Sequence, residues 1–417
     1  MIPMLLPDYY EFCCRVKLVA GHDALEKIPE LLAAKGARKP LIITDKGVAG
    51  AGLVDIVSRA AGKLDPNLVN DSVPPDSDLK VVHELAKLYQ ENACDALIAV
   101  GGGSVMDTAK GVNIVVSENA TDLMAFSGVG ALKRPLKPLV AVPTTAGTGS
   151  EVTQVAVIKD HDKHLKMAFG SYFLLPDIAI LDSRMTLTMP PFITAMTGMD
   201  AMSHAVEACY CLQKNPLSDA HALAAVSLLY AYLPQAVNNP SDRDARLSMA
   251  IGACLAGMAF SNSMVGLVHN LGHATGSVCG VPHGLCMAIL LPYGLEYNLH
   301  KREEAIAGLL LSMAGPHIYK ETPEEQRAQK VISLIRKLND DLHAKTGGRH
   351  ARSLSEVKDR DGKPAVPREA LPQIAQAALL DGASVYNPEE TDYEDNLMVL
   401  EAAWEGKPLD RAKVKKG

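Results

Sequence analysis

The chain has 417 residues, 48% of them apolar and 21% charged, with a formal net charge of −7. That length suffices for two domains with sizeable cores, and the acidic balance argues against nucleic acid or an anionic membrane surface as the main partner. No uninterrupted apolar run reaches the roughly 18 residues of a membrane helix, and the opening Met-Ile-Pro-Met-Leu-Leu-Pro-Asp lacks the basic region of a signal peptide. Eight scattered cysteines form no Cys-x-x-Cys pair. They argue against a structural zinc knuckle and read as small buried hydrophobes in a reducing cytoplasm.

In chain order, residues 11–20 predict a strand, and Leu25, Ile28, Leu31 and Leu32 mark a helix over 24–35. Pro-Leu-Ile-Ile-Thr-Asp (40–45) reads as a buried parallel strand ending in Asp45, followed by a helix to about Gly62. A short apolar run occupies 66–73, and an amphipathic helix follows over 78–92. The apolar strand 95–100 runs straight into Gly101, Gly102, Gly103 and Ser104 and then a helix over 105–116. A strand, a glycine turn and a helix start make an anion site, because bare backbone approaches the ligand and the helix N–H groups favour negative charge. The run Val-Ala-Val-Pro-Thr-Thr-Ala-Gly-Thr-Gly-Ser-Glu (140–151) places the hydroxyls of Thr144, Thr145, Thr148 and Ser150 after another strand, a pattern suited to phosphate or ribose oxygens. Strands near 152–158, 164–169 and 177–181 complete an α/β half, for which alternating strands and helices predict a parallel, doubly wound sheet.

Beyond Asp182 the texture changes. Residues 187–340 carry helical periodicity, clearest over 220–233, 244–259 and 303–314. Met189-Pro190-Pro191 breaks the chain at the boundary, giving an α/β domain over 1–186 and an all-α domain over 187–417. Residues 341–366 read as a polar surface excursion, 367–380 and 392–404 as helices, and 410–417 as a frayed tail.

The stretch from Asp200 to His283 holds a candidate metal set: Asp200, His204, His269 and His283. Asp200 and His204 are four apart, so on a helix they share a face one turn apart. His269 and His273 repeat that spacing, which by itself does not say which of the two would bind metal. His283 follows ten residues after His273, past Gly276, Gly280 and Pro282. Three imidazoles with one carboxylate suit Fe(II), Zn(II), Co(II) or Ni(II) better than Mg(II) or Ca(II).

These segments together resemble the iron-dependent alcohol dehydrogenase family, often called group III. The markers are Gly101-Gly102-Gly103-Ser104 with Asp107 and Lys110, Pro143 to Glu151, Gly198 to Glu207, His269-Asn270-Leu271-Gly272-His273, and Pro282-His283-Gly284. The resemblance implies a dinucleotide-binding domain, a helical domain and an active site in the cleft between them. It assigns Asp200, His204, His269 and His283 to Fe(II), or Zn(II), and gives His273 to proton transfer. It implies NAD held by Asp45, Gly101, Gly102, Gly103, Ser104, Asp107, Thr144, Thr145, Thr148, Val157 and Lys166. Asp45 at the adenosine ribose would repel a 2′-phosphate, favouring NAD over NADP. Val155, Phe260 and Val265 match substrate-facing positions. The implied reaction is the reversible oxidation of a small primary alcohol or diol, with hydride passing to the nicotinamide, in a cytoplasmic homodimer or an assembly of dimers. Alternatives on the same fold are a glycerol dehydrogenase-like zinc enzyme, a maleylacetate reductase and a sugar-phosphate cyclase; a phosphohydrolase built on His22-Asp23 and His161-Asp162 belongs to a different class. The chain departs from the family at Pro74-Pro75-Asp76-Ser77 and at Tyr386-Asn387-Pro388-Glu389.

Overall fold

The computed structural model describes residues 7–62, 65–160, 162 and 165–414. The readings for Met1 to Leu6, His161, His164 and residues 415–417 lie outside the described residues. The chain forms two compact units, one of Cys13–Met189 with Ser241–Gly257, the other of Met1–Phe12, Pro190–Pro240 and Met258–Gly417.

The first unit contains β1 (Lys17–Gly21), α1 (Ile28–Ala34), β2 (Pro40–Ile43), α2 (Lys46–Gly50), α3 (Leu53–Ala60), β3 (Val69–Asn70), α4 (Leu79–Glu91), β4 (Ala96–Gly101), α5 (Gly103–Glu118), β5 (Gly128–Val129), β6 (Leu139–Pro143), β7 (Val155–Asp160), β8 (Leu165–Gly170) and β9 (Ile178–Asp182). Six strands make a parallel sheet in the order β1-β9-β6-β4-β2-β3. Period-two alternation divides its strand residues between two cores. Leu41, Ile43, Leu97, Ala99, Leu139 and Ala141 pack with α4 and α5. Ile42, Ile98, Val100, Val140, Val142 and Ile180 pack with α1 and α3. Both faces are covered, which is why these strands read as near-continuous apolar runs.

Three sequence expectations change here. The predicted strand over 11–20 begins only at Lys17, whose N–H donates to Asp177 O. Before it, the Arg15 guanidinium caps the carbonyls of Tyr172 and Leu175. The helix expected up to Gly62 breaks at Gly52, which is left-handed at φ 74°. The strands expected near 152–158 and 164–169 do not join the parallel sheet. β7 and β8 form an antiparallel pair in a separate sheet ordered β5-β8-β7. Residues 161–164 are too short for a parallel crossover, which takes a dozen residues or more.

The second unit is helical, with α6 (Pro191–Ala208), α7 (Pro216–Asn238), α9 (Leu267–Cys279), α10 (His283–Glu321), α11 (Arg327–Lys345), α12 (Leu371–Ala378) and α13 (Tyr393–Glu405); α8 spans Arg243–Ser263. α10 packs on α6, α7, α9 and α11, and α12 on α9 and α13. The predicted helix 303–314 is one part of α10, which departs from helical geometry at Arg302 and Gly315. Two readings of exposed polar chain are corrected. Within 341–366, His350, Leu354 and Val366 are buried. Within the described part of the 410–417 tail Val414 is buried, just after Leu409 N donates to Glu296 at 2.9 Å. Among the described residues, α7 is long and apolar enough by composition to cross a membrane; part of it packs against α6 and α10.

Candidate metal centre and dinucleotide loops

In the helical unit, α6 presents Asp200 and His204 from one face, one turn apart, as the i,i+4 spacing dictates. α9 brings His269 and α10 opens with His283. The join between α6 and α10 depends on Gly284. A Cβ there would lie 2.4 Å from Met196 O, so only glycine lets α10 begin this close to α6. His283 Nε2 consequently sits 3.3 Å from Asp200 Oδ1. One ligand atom from each of Asp200, His269 and His283 falls within 4.8 Å of the others. His204 lies alongside, its ring stacked on His269 at 4.5 Å and on Phe260 at 4.1 Å.

The donors suit a divalent cation. His204 Nδ1 and His269 Nε2 are buried without a hydrogen-bond partner, a costly state for polar atoms that no cation or water satisfies. Burial pushes the His204 imidazole down to about 3 and holds His269 well below its usual range, so both keep the neutral lone pair a metal needs. Burial alone would raise the Asp200 carboxyl, but His204 and His283 outweigh it and hold the group low.

Glu207, quoted in the sequence only as a motif marker, is the buried hub behind these candidate donors. Its Oε1 accepts from Gly266 N (3.1 Å), Val268 N (2.9 Å) and Tyr210 OH (3.2 Å), and its Oε2 binds His269 Nδ1. Burial pushes its carboxyl up to about 7, opposed by those hydrogen bonds. Asn387 completes the start of α9 by accepting from Leu267 N at 3.2 Å. The other half of the Tyr386 to Glu389 departure is an anchor as well: Glu389 pairs with His300 at 2.6 Å and with Lys301 at 3.1 Å.

His273 lies one turn beyond His269 and is 43% exposed. Its ring stacks on His283 at 5.2 Å, and its Nδ1 contacts Asp381 Oδ2 at 2.9 Å. Asp381 carried no sequence signal, being 108 residues away. Burial would raise its carboxyl, but the His273 contact leaves it net lowered. Phe260 and Val265 are both partly buried.

In the sheet unit, α5 starts at Gly103 with Gly102 as its cap, a residue that offers no side-chain hydrogen bond to the first turn. A Cβ on Gly103 would sit 3.1 Å from Thr148 Cγ2, and one on Gly102 3.4 Å from Thr145 Oγ1, so the two loops form one cradle. Gly149, left-handed at φ 63°, turns the second loop. Lys110 locks it from below. Fully buried, it donates to Ser150 Oγ, Thr153 O, Thr153 Oγ1 and Val155 O at 2.8–3.1 Å. Burial lowers its ammonium to about 8, against the pull of Asp107 and Glu151. Asp107 accepts from Ser150 Oγ and Val157 N, so both of its oxygens are engaged within the protein. Ser104 is partly exposed, and its carbonyl accepts from Ser77 Oγ, which ties the Pro74 to Ser77 segment to the start of α5. Thr144 is buried, Val155 partly buried, and Val157 and Lys166 are exposed on β7 and β8. Asp45 caps α2 through Val48 N and is partly exposed. His22 bonds Ser183 and Asp244, so its pairing is within the scaffold.

Comparison with known proteins gives one consistent answer. Residues 16–183 match the profile of iron-containing alcohol dehydrogenase, and residues 194–404 that of the Fe-containing alcohol dehydrogenase family C-terminal domain. The NAD-dependent methanol dehydrogenase of Bacillus methanolicus is 33% identical over 92% of this chain and 97% of its own length. The 1,3-propanediol dehydrogenase of Klebsiella pneumoniae is 34% identical over 92% and 96%. A solved 1,3-propanediol oxidoreductase structure superposes with a TM-score of 0.86 at 32% identity, over 95% of this chain and 100% of that one.

Proposed function

The chain belongs to the iron-containing alcohol dehydrogenase family, and we propose that it interconverts a small primary alcohol or diol and its carbonyl with NAD(H), using a metal held by Asp200, His204, His269 and His283. The observation that carries this reading is the convergence of Asp200, His269 and His283 within 4.8 Å, beside the buried imidazole of His204. Iron bound there supplies Lewis acidity toward an alcohol oxygen, and NAD supplies the hydride acceptor.

The residues of the chain do the rest. Asp200 contributes the one negative charge of the set, and burial keeps His204 and His269 unprotonated. His273 donates its Nδ1 proton to Asp381, which leaves Nε2 to accept the hydroxyl proton and, being exposed, to release it to water. Phe260, stacked on His204, offers an apolar surface beside the ligands that suits a short carbon skeleton. The first-turn N–H groups of α5 and the Thr145 and Thr148 hydroxyls suit a pyrophosphate, and Asp45 suits ribose hydroxyls. Asp107 acts here through Ser150 and the Val157 backbone, as a support of the cradle. The two relatives named above act on methanol and 1,3-propanediol, which supports a short alcohol or diol as substrate.

A cytoplasmic setting fits eight cysteines, none in a disulfide. A homodimer fits β1, which among the described residues pairs only with β9 and leaves Leu18 exposed on the sheet edge. The test is a panel of alcohols and aldehydes with NAD(H) and NADP(H) on iron-loaded and zinc-loaded protein. Net NADH formation from a short alcohol supports the reading. Turnover of a sugar phosphate without net change in NADH would replace it.

A further inference from the structure

The buried carboxylate of Glu207 touches four donors, and only one of them belongs to the metal site. Two are backbone N–H groups, Gly266 and Val268, which can do nothing but donate. Both fall on Oε1, as does Tyr210 OH, so that oxygen is committed as an acceptor. Oε2 is left for His269 Nδ1. Three donors on Oε1 stabilise the ionised carboxylate against the effect of burial, and in that form Oε2 accepts as well, so the imidazole carries its proton on Nδ1 and leaves Nε2 bare. Nε2 is the buried atom of His269 that has no hydrogen-bond partner. The helix start is involved too. The cap residue of α9 is Gly266, which has no side chain to cap with, so Glu207 takes over that work from α6.

We propose that Glu207 is a positioning residue for the metal centre: it fixes the tautomer and orientation of His269 while holding the first turn of α9 at the same time. The inference rests on the metal-site reading above. Outer carboxylates of this kind typically contribute 10–100-fold to metal affinity. Here the two tasks are coupled, because one side chain performs both and no neighbouring acceptor contacts His269 Nδ1 among the described residues.

Glu207→Gln separates a positioning role from a merely structural one, since the shape is kept and one acceptor becomes a donor. If the amide oxygen stays on Gly266 N and Val268 N, its NH2 faces Nδ1, and the imidazole proton is driven to Nε2. If the amide flips, its NH2 meets two backbone N–H groups about 3 Å away. The affinity of the metal-free protein for Co(II) and Zn(II) is measured by chelator competition, beside its thermal midpoint without metal. The expected result is a folded variant that binds Co(II) and Zn(II) roughly 10–100-fold more weakly. A lower metal-free midpoint with wild-type affinity means that Glu207 only caps α9, and this overturns the proposal.

A measurement on the unmodified chain covers the case in which the variant fails to fold. With 15N-histidine, the metal-free protein should show His269 protonated at Nδ1, assigned by loss of the signal in His269→Ala; protonation at Nε2 overturns the proposal. If the unmodified chain binds neither metal, the metal-site reading itself fails, and the tautomer of His269 still decides what Glu207 does.

Discussion

Replacing Gly284 by alanine tests the packing that assembles the proposed metal set. The added Cβ would stand 2.4 Å from Met196 O and 2.9 Å from its carbonyl carbon. A carbon–oxygen contact needs about 3.3 Å, so the start of α10 must retreat from α6 by about 0.9 Å. Both neighbouring atoms are backbone, so no rotamer change relieves the clash. Overpacking of this kind costs roughly 1–3 kcal/mol, and at about 2–4 °C per kcal/mol the midpoint should fall by roughly 2–12 °C. The same retreat carries His283 away from Asp200, whose atoms now lie 3.3 Å apart. Metal–ligand distances tolerate only about 0.2 Å, so metal affinity should fall as well. Differential scanning fluorimetry of the metal-free protein and chelator competition read the two effects. Wild-type values in both assays would refute the claim that Gly284 sets the spacing of the site.

Other outcomes follow from the same geometry. Asp45→Gly should raise the NADP-to-NAD ratio of kcat/KM on the order of tenfold, since a carboxylate near a 2′-phosphate costs about 1 kcal/mol or more; equal use of both cofactors by the unmodified enzyme would refute the role given to Asp45. His350 is held down to about 4 by burial and by His343. Its unfolded value is near 6.5, so as pH falls from 6.5 to 4 the unfolded chain takes up a proton that the folded one does not, and stability drops by up to about 3 kcal/mol. Urea titrations should show that slope in the unmodified protein and a flatter one in His350→Gln; identical slopes would contradict it. Light scattering at micromolar concentration should give a mass of at least two chains, and a monomeric mass would remove β1 as an interface.

Much of the fold was legible in the sequence because burial on both sheet faces writes itself as unbroken apolar strands, as at 40–43 and 96–101. The Asp200/His204 pair was legible for a local reason, the one-turn spacing on a single helix. What escaped was decided at a distance. β7 and β8 carry ordinary strand composition, and only the short link between them sets their antiparallel pairing. Asp381 reaches His273 across 108 residues, and Glu207 reaches His269 across 62. A carboxylate beside a histidine in space leaves no periodic trace in sequence. Lys110, quoted in the sequence only as a motif marker, is held in the interior by four oxygens that lie 40 to 45 residues away.

The central claim is that His269 holds the metal and His273 handles the proton, although both project from α9 one turn apart. Mass spectrometry of metal content, beside initial rates, tests this on His269→Ala and His273→Ala purified with iron. Loss of one ligand of four leaves an incomplete shell, whereas loss of an outer imidazole leaves the shell intact. His269→Ala should retain little metal and little activity, and His273→Ala should keep near-stoichiometric metal with slower turnover or an altered pH profile. Metal lost from His273→Ala and kept by His269→Ala would contradict it.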